Sequence, residues 1–206
     1  MKVILVNGSP HEKGCTNMAL SIVADTLNQC GIDTEIFWIG NQPVGGCIAC
    51  KGCVGTGKCV FDDAVNAFTE KAKTADGFIF GSPVHYAAMS GNLTSFMDRA
   101  FYSSGSRFRM KPAAGVLSAR RGGTTAAFDQ INKYFTICQM PVVSSRYWNM
   151  VHGSKAEDVL QDAEGVACMK MLGKNMAYLL KCMQAGREKG IELPEQEAPV
   201  RTNFIR

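Results

Sequence analysis

Short apolar runs alternate with stretches in which apolar residues recur every three or four positions, and this pattern sets the reading of the chain. Lys2 to Val6 is a strand-length apolar run closed by Asn7 and Gly8. From Asn17, the residues Met18, Ile22, Val23, Leu27 and Cys30 recur at helical spacing until Gly31 supplies a stop. Asp33 to Trp38 predicts a second strand; Ala64, Val65, Phe68 and Ala72 a second helix; Gly77 to Phe80 a third strand. Asn92 to Ser103 reads as a third helix, Ala113 to Leu117 as a fourth strand, Thr125 to Ile137 as a fourth helix and Pro141 to Ser144 as a short fifth strand. Ser154 followed by Glu157 is a capping-box signature. Met169, Leu172, Met176, Leu179, Leu180 and Met183 mark a long last helix. Parallel strands need a crossover, so strands separated by helices predict βαβ units. The expected fold is α/β: a three-layer, doubly wound, five-stranded parallel sheet. It forms one domain over residues 1–188, with a Gly- and Cys-rich loop at 41–61 and a tail over 189–206.

Composition narrows the function classes. The 206 residues include 22 Lys and Arg against 18 Asp and Glu, a net charge of +4, which argues against nucleic-acid binding. An apolar share of 46% argues against disorder. The apolar start is too short for a signal-peptide core and no run approaches the roughly 18 residues of a membrane span, so a cytoplasmic, membrane-free protein is expected. Disulfides are rare there, and nine cysteines then point to metal or redox chemistry. Cys30, Cys138, Cys168 and Cys182 fall among apolar helical positions and read as small core residues.

Ligands of such sheets sit beyond the carboxyl ends of the strands, where strand order reverses. The first turn there, Asn7 to Asn17, joins strand to helix with small and hydroxyl side chains. Free N–H groups and the positive dipole end at a helix start suit a phosphate, with Ser9, Thr16 and Asn17 as further donors. An ordinary capped turn would read the same way. A Walker A loop fails, since Gly8 is followed by Gly14-Cys15-Thr16 and lacks the Gly-Lys-Ser/Thr ending, and G-x-G-x-x-G is absent. The dipole should lower the pKa of Cys15, but a buried, inert thiol is the favoured reading. Gly81 to Ala87 and Ser118 to Thr124 offer backbone N–H groups and close approach at the same edge.

The segment GSPHEKGCTN resembles the phosphate loop of the flavodoxin-like NADPH-dependent FMN reductase family, with His11 where that family often has Arg and Cys15-Thr16-Asn17 for its usual Gly-Asn-Thr. The loops at 81–87 and 118–124 are similar to its flavin-contacting loops. The resemblance implies bound FMN, with Ser9, His11, Cys15, Thr16 and Asn17 near the phosphate. Around the ring it implies Pro83, Val84, His85, Tyr86, Ala87, Ser118, Arg120, Arg121, Gly122, Gly123 and Thr124. Arg120 or Arg121 would stabilise the charge of a reduced flavin, unless both are solvated surface groups. NAD(P)H would be the hydride donor, no side chain is required as acid or base, and a homodimer or homotetramer is expected.

The most specific motif is Cys47, Cys50, Cys53 and Cys59, spaced x2, x2, x5 among five glycines. Thiolates so close on a turn-rich chain can wrap a compact cluster. Structural zinc ordinarily uses two C-x-x-C pairs about a dozen residues apart, and reduced cysteines that merely cover a flavin are a third reading. Together with the flavin loops and the terminal Asn203-Phe204-Ile205-Arg206, the motif resembles the iron-sulfur flavoproteins of anaerobes. That implies a 4Fe-4S cluster exchanging electrons with FMN and a ferredoxin-type partner. The leading expectation is an FMN oxidoreductase fed by NAD(P)H, the alternative a cluster-fed electron carrier, and the third a non-enzymatic redox or metal sensor. Phe101 to Lys111 and Trp148 to Lys155 read as insert-like loops that could cover a neighbouring subunit's flavin. The tail from Pro194 onward, ending in Phe204 and Ile205, should dock on the same or another subunit.

Overall fold

The structure is a computed structural model describing residues 1–198, 200 and 202–204. Strands β1 (Lys2–Asn7), β2 (Asp33–Trp38), β3 (Gly77–His85), β5 (Ala113–Ala119) and β6 (Met150–His152) form a parallel sheet in the order β2-β1-β3-β5-β6. A two-residue strand, β4 (Ala88–Met89), folds back antiparallel onto β3. The helices are α1 (Cys15–Gln29), α2 (Ala64–Lys71), α3 (Gly91–Ser104), α4 (Thr124–Ile137), α5 (Ala156–Val159) and α6 (Ala163–Glu188). No described helix is long and apolar enough to cross a membrane.

The period of two along β1 sorts its side chains between two cores. Ile4 and Val6 face one built with Phe68, Phe78, Phe80, Phe96 and Phe135, under α2, α3 and α4. Val3 and Leu5 face the other, with Leu20, Val23, Met169 and Leu172 of α1 and α6. Both faces of the sheet are covered, which explains why its central strands read as unbroken apolar runs. Strand order reverses between β1 and β3, which pair Val3 with Gly77 through Asn7 with Gly81.

Five expectations change. Pro141 to Ser144 supplies only one bridge, Val142 to Ala113. Pro141 has no N–H to donate, and the fifth parallel strand is β6, which pairs Met150, Val151 and His152 with Leu117, Ser118 and Ala119. Trp148 to Lys155 is therefore not an insert, because it contains that strand. Phe101 to Lys111 is not one either: Phe101 lies in α3, and its ring stacks on the buried Phe108 at 4.6 Å in the core. The carboxylate expected on Glu157 is supplied by Asp158, which accepts from the N–H groups of Ser154 and Lys155 at 2.9 and 3.1 Å. Cys168 is buried and Cys30 and Cys138 are partly so, but Cys182 is exposed.

Arg109 donates to the Pro194 carbonyl at 2.7 Å, and Gln196 to Gln139 at 3.2 Å, so the tail is tethered up to this point. Phe204 is 92% exposed on this chain. Ile205 lies outside the described residues.

Candidate functional site

The turn after β1 is built by its own polar groups. Asn7, fully buried, accepts from the Ser9 N–H at 3.0 Å and donates to the Glu12 carbonyl at 3.0 Å. Ser9 Oγ accepts from the His11 N–H at 3.1 Å and so retains its own proton for another acceptor. Trp38 of β2 donates to the Ser9 carbonyl at 2.8 Å, and Ser90, the N-cap of α3, to the Gly8 carbonyl at 2.8 Å. Gly8 has no room for a side chain, since a Cβ would stand 2.8 Å from Leu93 Cβ. The turn is thus fixed from the neighbouring strand and from α3. The helix it leads into, α1, has Gly14 as its N-cap and so no side-chain cap, which leaves first-turn N–H groups for a ligand.

Thr16, 1% exposed, shares a 2.8 Å hydrogen bond with Ser118 at the end of β5. One of these hydroxyls donates and the other keeps its proton. A cleft of about 190 Å³ opens here, at the carboxyl edge of β1, β3 and β5. Its walls include Ser9, His11, Cys15, Thr16, Pro83, Val84, His85, Ser118 and Arg120 from the sequence-predicted set. Gly153, Ser154 and Lys155 close the opposite side. Sequence reasoning missed that third wall because it follows from the displacement of the last strand to β6.

The other candidates lie around this cleft but do not line it. Asn17 is half-buried in the first turn of α1. Tyr86 and Ala87 form the two-residue turn between β3 and β4, both at positive φ, with Tyr86 fully exposed. Gly123, at φ +93°, packs that tip: a Cβ on it would lie 2.9 Å from Ala87 Cα and 3.0 Å from Val84. Arg121 and Gly122 are exposed, and Thr124 is buried at the start of α4. For Cys15, burial outweighs the lowering effect of a backbone hydrogen bond. Desolvation first, with Asp158 and Glu157 adding, raises its thiol pKa, contrary to the expected lowering.

The four cysteines line one narrow concavity of about 20 Å³, together with Arg99, Tyr102 and Phe61. Among the described residues, no three His, Cys, Asp or Glu side chains converge closely enough to hold a single metal ion. Between the cysteines the backbone turns left-handed at Ala49, Lys51, Gly55 and Gly57, which curls the chain around the hollow. Arg99 of α3 was legible only as a helical residue, yet its guanidinium donates to Cys59 Sγ at 3.1 Å and to both oxygens of Asp63 at 2.6 and 2.9 Å. Burial alone would lower its pKa, but these two partners hold it above its ordinary value.

The sequence profile described as NADPH-dependent FMN reductase matches residues 1–155. An iron-sulfur flavoprotein of Methanocaldococcus jannaschii is 32% identical over 192 residues, covering 89% of this chain and all of that one. An iron-sulfur flavoprotein of Methanosarcina thermophila is 26% identical over 194 residues, covering 92% of this chain and all of that one. Among solved structures, RosB with bound 8-demethyl-8-formylriboflavin-5'-phosphate superimposes with a TM-score of 0.70 at 13% identity, over all of this chain and 94% of that one.

Proposed function

The chain belongs to the NADPH-dependent FMN reductase family and is an FMN-dependent oxidoreductase, and from that premise we propose that the cleft at the carboxyl edge of β1, β3 and β5 seats the FMN. The observation that carries this reading is the convergence of the uncapped start of α1, the Ser9 hydroxyl and the Thr16–Ser118 pair on one cleft at the reversal of strand order. The donor set fits a phosphate: backbone N–H groups at a dipole's positive end, with hydroxyls beside them. Bound flavin accepts an electron pair as hydride and releases electrons singly.

The protein's own groups bind and orient. First-turn N–H groups of α1, with Ser9, hold the phosphate; the Thr16–Ser118 hydrogen bond fixes the loop after β5 against the phosphate turn. Arg120, exposed on the wall, offsets negative charge at the cleft, and no side chain is needed to move a proton. NAD(P)H is the proposed hydride donor, and a homodimer or homotetramer the proposed assembly. Anaerobically purified protein should show flavin absorption, alone or after FMN is added; its absence in both cases would overturn the assignment.

A second reading is favoured by the cysteine hollow. Cys47, Cys50, Cys53 and Cys59 would hold a 4Fe-4S cluster, with a ferredoxin-type protein as electron donor; in support, they line one hollow and the relatives are named iron-sulfur flavoproteins. Iron and acid-labile sulfide measured anaerobically should approach four of each per chain and be lost in Cys50→Ala. Unchanged iron in that variant would contradict the cluster.

A further inference from the structure

We propose that Arg99 is the positioning residue of the cysteine hollow: it clamps both ends of the loop to α3 and, through its hydrogen bond to Cys59, raises the reduction potential of the cluster held there. The second half rests on the cluster reading above; the first does not.

Every N–H of the guanidinium has an acceptor. Nε donates to Cys59 Sγ at 3.1 Å; Nη1 donates to the Gly45 carbonyl at 3.3 Å and to Asp63 Oδ2 at 2.6 Å; Nη2 donates to the Phe61 carbonyl at 3.2 Å and to Asp63 Oδ1 at 2.9 Å. A guanidinium has five such hydrogens, so the fork is saturated. Its partners lie on either side of the loop, Gly45 before the first cysteine and Cys59, Phe61 and Asp63 at and after the last. The Phe61 ring stacks over the guanidinium at 4.9 Å. The side chain is 1% exposed and rises from a helix whose Phe96, Met97 and Ala100 are fully buried, so the anchor is rigid. Asp63 is fixed in turn, since it caps α2 by accepting from the Val65 N–H at 3.0 Å.

The 41–61 loop has no strand or helix of its own, and most of its residues are exposed. It includes Ala49 and Lys51 at positive φ, each costing about 1–2 kcal/mol in the left-handed region. Such a loop keeps one shape only when its surroundings over-determine it. Asn66 and Ser104 assist, holding Cys59 and Gly57 by their backbones, but among the described contacts Arg99 is the group that ties a thiol to the core. Hydrogen bonds to cluster sulfurs stabilise the reduced, more negative state and so raise the potential. Three of the four thiols line the hollow without such a buried donor among the described hydrogen bonds, which makes Cys59 the distinctive corner.

The test compares wild type with Arg99→Lys and Arg99→Met. Lysine keeps a charge but has one nitrogen and cannot serve Asp63, two carbonyls and Cys59 together. Iron-free protein is digested briefly with trypsin, which cuts at Lys51 and Lys58; protein reconstituted anaerobically with iron and sulfide is titrated with dithionite while the cluster signal is followed. In both variants, cleavage in the loop should be several-fold faster, and each tenfold loss of preference for the reduced cluster lowers the midpoint by about 59 mV. Should Arg99→Met fail to fold by circular dichroism, Arg99→Lys carries the comparison. Equal cleavage and an unmoved midpoint at full iron content would overturn the proposal. Faster cleavage with an unmoved midpoint would overturn its second half and leave a purely structural clamp. Wild type that takes up no iron would sink the cluster reading instead, and cleavage would then decide the clamp alone.

Discussion

Gly123 and Gly122 are adjacent residues with different physical roles. Gly123 is left-handed, and a Cβ would push into Ala87 and Val84; Gly122 has nothing within 4 Å. Gly123→Ala should destabilise the protein by about 1–3 kcal/mol in urea unfolding and weaken FMN binding by displacing the hairpin tip. Gly122→Ala should do neither. Both positions were legible as glycine-permitted, but only the structure separates them, because the constraint comes from a turn some 36 residues away in sequence. Single residues of the first turn were more readable. Ser9, Thr16 and their neighbours act locally, and local hydrogen-bonding chemistry is visible in a string of letters. Arg99 shows the opposite case: its helical spacing gives no sign that its acceptors lie 36 to 54 residues earlier.

At the scale of elements, helices and central strands were legible because each carries its own periodicity. The β3–β4 hairpin was not. Its two-residue turn has both φ values positive, the sign pattern of a type I′ turn, yet the residues are Tyr86-Ala87 and lack the Asn-Gly that normally signals it. The last strand was misplaced for a related reason. Two segments share β5 as a partner, and the apolar run at 141–144 outshines the three-residue β6. The edge strand β2 illustrates charge at this scale. Glu35 is bound by Lys2 of β1 at 2.5 Å and by Lys71 of α2 at 2.8 Å, which ties the edge to its neighbours. The hydrogen bonds from Lys2 and then Lys71 hold its carboxyl below the ordinary value of 4.5. A depressed folded-state pKa stabilises above the unfolded value and loses that contribution as pH falls through the folded one. The side chain is 26% exposed, so the contribution is below about 1 kcal/mol. Glu35→Gln should therefore be slightly less stable than wild type at pH 7, with the gap closing as pH falls below 4.5. A constant gap down to pH 3 would refute this account.

For the whole molecule, topology was the most legible property. Alternating strands and helices imply a doubly wound sheet, such a sheet has one place where strand order reverses, and that place predicts the cleft before any side chain is considered. The third wall at Gly153 to Lys155 and the thiol hollow's anchor on α3 depend on distant pairing and could not be read in advance. The central claim is that the cleft recognises the phosphate as well as the ring. The most direct test is a titration of flavin-free protein with FMN and, separately, with riboflavin, followed by quenching of flavin fluorescence. One FMN should bind per chain, at least tenfold more tightly than riboflavin, because several charge-assisted hydrogen bonds at the start of α1 contribute about 1.5 kcal/mol or more each. Equal affinity for the two flavins, or no binding of either, would contradict it.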